Sequence, residues 1–147
     1  MNMKSLRFLF TAVAVALIAL LPGCKSLNKT EDGGKSEAQE KGVYFLPQGA
    51  IYDVNENPEK LTIIDFNATW CGPCKAFSPI FEEAAKDYAG KVKFIAVDVD
   101  LHREMAEELN INSIPAILFI NTNGVKEWSV GLMTKEEFYG KIDSALK

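Results

Sequence analysis

Residues 61–75 run Leu-Thr-Ile-Ile-Asp-Phe-Asn-Ala-Thr-Trp-Cys-Gly-Pro-Cys-Lys. The first six, Leu61 to Phe66, are β-branched or apolar apart from Asp65, the composition of a strand buried on both faces. Two thiols spaced C-x-x-C follow, Cys71 and Cys74, and a pair at that spacing can close and reopen a disulfide without moving the fold. A helix opening near Gly72 puts Cys71 at its N-terminus, where unpaired backbone donors and the positive end of the dipole favour a thiolate. A lowered thiol pKa makes Cys71 the expected attacking nucleophile. Cys74 falls on the first turn, facing inward, and is the expected resolving thiol. Two other readings of the pair are open. Half of a zinc site would need further Cys or His ligands, and the chain has only Cys24 and His102 to add. A purely structural disulfide is the other, although Gly72-Pro73 fits a helix-opening turn better than a staple.

Downstream of the cysteines, Phe77, Ile80, Phe81, Ala84, Ala85 and Tyr88 recur at spacings of three and four, the stripe of an amphipathic helix. Pro79 lies inside it and removes a backbone donor; Gly90 is the expected C-cap. Val92 to Val97 is another continuous apolar run and a central strand. Asp100 is a candidate N-cap for a short helix from Leu101 to Leu109. Ala116 to Ile120 is a strand, Asn121 to Gly124 a hairpin turn, and Val125 to Val130 its partner. Thr134 and Glu137 have the spacing of a capping box for a last helix carrying Phe138, Ile142, Ala145 and Leu146. Upstream, Val43 to Leu46 is a short strand, and Ala50 to Val54 a possible brief helix among Pro47, Gly49, Asn55, Asn57 and Pro58. Alternating strands and helices that end in a hairpin predict an α/β domain with a central mixed sheet and helices on both faces. His102, on a polar helix far from the dithiol in sequence, is expected to be solvated.

The front of the chain has another character. Lys4 and Arg7 precede an apolar run from Phe8 to Leu21, and Pro22-Gly23 leads to Cys24. That is the pattern of an export signal. The run holds 14 residues, short of the roughly 20 that cross a bilayer core. Leu21-Pro22-Gly23-Cys24 resembles the bacterial lipobox, with Leu21, Gly23 and Cys24 matching and Pro22 departing. The resemblance implies cleavage before Cys24 and lipidation of its thiol, which accounts for the odd cysteine; an ordinary signal peptide with an incidental cysteine is the alternative. Cleavage there removes two basic residues and no acid, taking the net charge from −4 to −6. Such a domain has no electrostatic pull toward nucleic acid or anionic lipid. Lys25 to Gly42 is polar, with Leu27 and Ala38 its only apolar residues, and too poor in them to fold. As a flexible tether it would reach about 20–25 Å on average. The organisation expected is a signal peptide over 1–23, a lipidated Cys24 with its tether over 24–42, and one folded domain over 43–147.

From Val43 to Lys147 the chain resembles a thioredoxin domain. Trp70-Cys71-Gly72-Pro73-Cys74-Lys75 matches that family's active-site sequence. Asp65, five residues before Trp70, matches its buried carboxylate, and Pro79 the kink in its active-site helix. Ile114-Pro115 matches its cis-proline pair; Gly124 and Gly131 match the glycines of its C-terminal hairpin region. The resemblance implies the thioredoxin fold, a Cys71–Cys74 redox disulfide with no other cofactor, and Asp65 as acceptor of the Cys74 proton. Alternation alone would also allow Asp65 to face solvent. It further implies a shallow groove for protein substrates formed by Trp70, Gly72, Pro73, Ile114, Pro115 and Gly131, although Trp70 by itself could be a core aromatic. Asn67 and Ala96 depart from the family, standing where many bacterial members have tryptophan and some have lysine.

The function expected is a monomeric thiol–disulfide oxidoreductase, lipid-anchored on the periplasmic side of a bacterial envelope, that reduces protein disulfides. A membrane thiol donor must then supply its electrons. The alternatives are a disulfide oxidase or isomerase, a thiol reductase for cytochrome c maturation, and, in another class, a redox-inactive binding module on the same fold.

Overall fold

In the computed structural model, residues 42–147 are described. The expected signal peptide, Cys24 and all but the last residue of the tether lie outside them. Five strands form one mixed sheet: β1 (Val43–Phe45), β2 (Leu61–Asn67), β3 (Val92–Asp98), β4 (Ala116–Ile120) and β5 (Lys126–Val130). Their order is β1-β3-β2-β4-β5. β3 runs parallel to both β1 and β2, while β4 is antiparallel to β2 and to β5. Among the described residues three helices flank the sheet: α1 (Gly72–Asp87), α2 (Arg103–Glu108) and α3 (Lys135–Ala145).

The central strands are mostly apolar because both sheet faces are covered, with Thr62 and Asp65 the buried polar exceptions on β2. On one face Leu61, Ile63, Phe94, Ile117 and Phe119 meet Phe77, Phe81, Ala84 and Ala85 of α1 and Phe138 and Ile142 of α3. Phe138 packs edge-on to Phe77, with ring centroids 5.0 Å apart, which locks the two helices together. On the other face Ile64, Phe66, Ile95, Val97 and Leu118 meet Leu46 and Val54, with Met105 and Leu109 packed against them. β2 is thus sandwiched between two cores, and its C-terminal end delivers the chain to Cys71. The capping box forms as expected: the Glu137 N–H donates to Thr134 Oγ1 and the Thr134 N–H to Glu137 Oε2.

Four local expectations are corrected. No helix forms over residues 47–60; the Ala50 N–H closes a turn on the Pro47 carbonyl and the Asn55 N–H bonds the Asp53 carboxylate. An Asx turn of this kind offers the backbone a partner that competes with the helix. α1 ends earlier than Gly90, capped at Tyr88, whose N–H reaches the Ala84 carbonyl. α2 starts at Arg103 with His102 in the cap position, because Asp98 rather than Asp100 closes the preceding turn: its Oδ1 accepts the Asp100 N–H and its carbonyl the His102 N–H. His102 is buried, not solvated, with its Nε2 3.1 Å from the Leu46 carbonyl oxygen.

The 47–60 segment is pinned to the β4–β5 hairpin. Lys126 Nζ donates to Asn55 Oδ1, and a Cβ at Gly124 would run into the Asn57 side chain. Gly124 also holds φ +75°, where a Cβ is strained. Gly124→Ala should therefore cost about 1–3 kcal/mol, read as a lower urea midpoint. Adding Asn57→Ala should recover only the steric part.

Candidate active site

The loop after β2 ends at Cys71, which occupies the N-cap of α1 with extended backbone angles of φ −79° and ψ 110°. Pro73 sits in the first turn, where its missing N–H costs nothing. The next free donor, the Cys74 backbone N–H, points at Cys71 Sγ from 3.2 Å. No acidic side chain lies in that turn, so nothing offsets the positive end of a helix of 16 residues. In the reduced protein these features favour negative charge on the Cys71 sulfur over that of Cys74. The two sulfurs are joined in a disulfide with the Cα atoms 5.3 Å apart. Both cysteines are buried, in a small apolar cluster with Ala68 against Val99 and Ile114.

The residues expected to form a substrate groove divide into two groups. Gly72 and Pro73 are exposed, and Trp70 is 67% exposed with its indole N–H donating to Asp100 Oδ2 at 2.7 Å. Across the cysteines lies the Ile114–Pro115 loop, whose peptide bond is cis. The Ile114 carbonyl oxygen is 3.8 Å from Cys71 Sγ, so an incoming strand would meet it beside the reacting sulfur. Pro115 is buried, and its carbonyl accepts the Gly131 N–H at 2.8 Å. Its place is to tie the half-buried Ile114 to Gly131, where φ is +96°, rather than to present its own ring.

Asp65 follows Leu61 and Ile63 on the face of β2 turned toward α1, and is 2% exposed. Its neighbours in register are Ala96 on β3 and Ile117 on β4, neither of which can solvate a carboxylate. Burial pushes its pKa up to about 7, and the bond from Asn67 draws it part of the way back. Asn67 Nδ2 donates to Asp65 Oδ2 at 3.1 Å, whereas Oδ1 is buried with no partner among the described residues. A carboxyl that titrates near neutrality can accept a proton from a thiol and return it.

Two contributors escaped the sequence reading. Asn67 lies two residues after Asp65, on the same face of the same strand, and alternation alone could have pointed to it. Asp100 is 30 residues from Trp70, and no local pattern pairs them.

The thioredoxin family model matches residues 43–144. Thioredoxin from Borreliella burgdorferi is 41% identical over 80 residues, which span 54% of this chain and 68% of that protein. Thioredoxin from Bacillus subtilis is 40% identical over 91 residues, spanning 62% and 88%. Among solved structures, the short form of spinach chloroplast thioredoxin f superposes with a TM-score of 0.65 at 25% identity, covering 76% of this chain and all of that one. Malassezia sympodialis thioredoxin superposes with a TM-score of 0.60 at 32% identity, covering 72% and 95%.

Proposed function

This chain belongs to the thioredoxin family and is a thiol–disulfide oxidoreductase, and from that premise we propose that it is a lipid-anchored reductase of protein disulfides on the outer side of a bacterial membrane. The observation that carries the chemistry is the Cys74 N–H aimed at Cys71 Sγ at the start of α1. It makes Cys71 the attacking sulfur. In the reduced protein the Cys71 thiolate displaces one sulfur of a substrate disulfide, forming a Cys71–substrate bond and releasing a substrate thiolate. Asp65 then takes the Cys74 proton. The resulting thiolate attacks Cys71 Sγ, the mixed disulfide breaks, and the second substrate thiolate leaves. Two electrons have passed to the substrate, and the protein holds the Cys71–Cys74 disulfide.

Location rests on the basic and apolar pattern ahead of Leu21-Pro22-Gly23-Cys24, which supports export and acylation at Cys24. The polar segment after it would let the domain work a short distance above the bilayer. Outside the cytoplasm such a reductase needs electrons from across the membrane, so a membrane thiol donor is part of the proposal. Gly72-Pro73 and Ile114 before Pro115 favour reduction over oxidation, by their likeness to thioredoxins.

Two measurements test this. The reduction potential of the Cys71–Cys74 pair should lie near the thioredoxin value of about −270 mV; a value near about −120 mV would make the protein an oxidant. In cells, the parent should fractionate with membranes and Cys24→Ser should not. Equal distribution of the two would remove the lipid anchor.

A further inference from the structure

The Asp65 carboxyl is held asymmetrically. Asn67 Nδ2 donates to Oδ2 at 3.1 Å and also to the Asp65 carbonyl at 3.2 Å, so the amide is braced on the strand's own backbone. Its own backbone is fixed by the Val99 N–H, which donates to the Asn67 carbonyl at 2.9 Å. Oδ1, buried alongside, has no partner among the described residues. We propose that Asn67 is a positioning residue for the resolving step: its amide occupies Oδ2 of Asp65 and leaves Oδ1 as the atom that receives the Cys74 proton. This rests on the reading of Asp65 as the base.

Asn67 is suited to the task because, among the described residues, no other side chain donates to the carboxyl. From β3 the facing residue is Ala96, from β4 Ile117, and on the buried face of α1 the one titratable group is Cys74. No charged side chain contributes to the shift of Asp65; burial raises it and the Asn67 bond lowers it. A bond donated to the ionised carboxyl favours that form. Asn67 therefore both chooses the oxygen and keeps enough of the carboxyl ionised to act as a base near neutral pH.

The proton balance is simple. Cys74 S–H gives its proton to Oδ1, leaving a thiolate and a carboxylic acid that still accepts the Asn67 bond through Oδ2. After Cys74 closes on Cys71 Sγ, the acid returns the proton to the departing substrate thiolate or to solvent.

The test uses Asn67→Leu, which keeps the size and removes the donor, and Asn67→Ala, which avoids added apolar surface if the first variant folds poorly. The Asp65 carboxyl carbon, followed by NMR, should titrate about one pH unit higher in either variant. In acid-quenched single-turnover reduction of a disulfide peptide, formation of the mixed disulfide should be unchanged. Its resolution should slow by up to about tenfold below the shifted pKa and rejoin the parental rate well above it. A purely structural Asn67 would lower stability without moving either profile. An unmoved Asp65 titration overturns the role given to Asn67. Resolution at the parental rate in Asp65→Asn would instead overturn Asp65 as the base, and this proposal with it.

Discussion

Cys71→Ser should leave no measurable disulfide reduction, a loss of at least about 10³-fold, whereas Cys74→Ser should react once with substrate and stop. The difference follows from where α1 begins. A serine at position 71 can still cap the helix, so the fold survives, but its hydroxyl stays protonated and cannot displace sulfur. With serine at 74 the N–H donated to Cys71 Sγ is retained, since it belongs to the backbone. Cys71 therefore keeps its reactivity and forms the mixed disulfide, but no second sulfur is left to release it. Mass spectrometry should find an adduct of substrate mass on Cys71 in Cys74→Ser and none in Cys71→Ser. The reverse pattern would exchange the two roles. Parental activity in both variants would leave only a binding module on this fold.

The placement of Cys71 at the start of α1 was legible in the sequence because it needs only a strand, a short loop and a helix start at fixed spacing. The sheet was legible for a similar reason: runs such as Leu61–Phe66, apolar or β-branched but for Asp65, and Ala116–Ile120, apolar at every step, occur where both faces are covered. Residues 47–60 were not, because their conformation is set by what they touch. Asn57 lies against Gly124, Asn55 takes the Lys126 ammonium, and Asp53 closes its own turn. The same holds at the start of α2. Asp98 and Asp100 are both chemically fit to cap a helix, and the choice falls on the tertiary demand: Asp98 folds the turn while Asp100 reaches the Trp70 indole. His102 is buried by Leu46, a residue 56 positions away, which no local polarity pattern can encode. The paired cysteines and the buried carboxyl were evident from their types. Their neighbours Asn67 and Asp100 are common polar residues whose meaning comes from the side-chain hydrogen bonds they make, Asn67 to Asp65 and Asp100 to the Trp70 indole.

Asp65→Ala should make the oxidised protein more stable at neutral pH and above, by an amount that grows as pH rises toward the folded pKa of the carboxyl. Folding raises the Asp65 pKa from 3.8 to about 7, so between those values the native state binds more protons than the unfolded chain. Stability is full below the unfolded value, falls as pH rises through the folded one, and is level above it. About three pH units at 1.36 kcal/mol each put the total near 4 kcal/mol. Removing the carboxyl abolishes that loss and leaves a small cavity, a penalty of about 1 kcal/mol. Urea denaturation should then show the variant ahead by about 3 kcal/mol at pH 8 and behind the parent by less than about 1 kcal/mol at pH 4, where the cavity dominates. Parallel stability curves for parent and variant would mean that Asp65 is not held out of water as its burial indicates. A core position that lowers stability wherever the protein works near neutral pH is poorly explained by packing, since alanine would serve better there. What alanine cannot do is take the proton from Cys74. The stabilised variant should therefore form the mixed disulfide at the parental rate and resolve it more slowly, most clearly near pH 7 and above, where the parent carboxyl is ionised and available as a base.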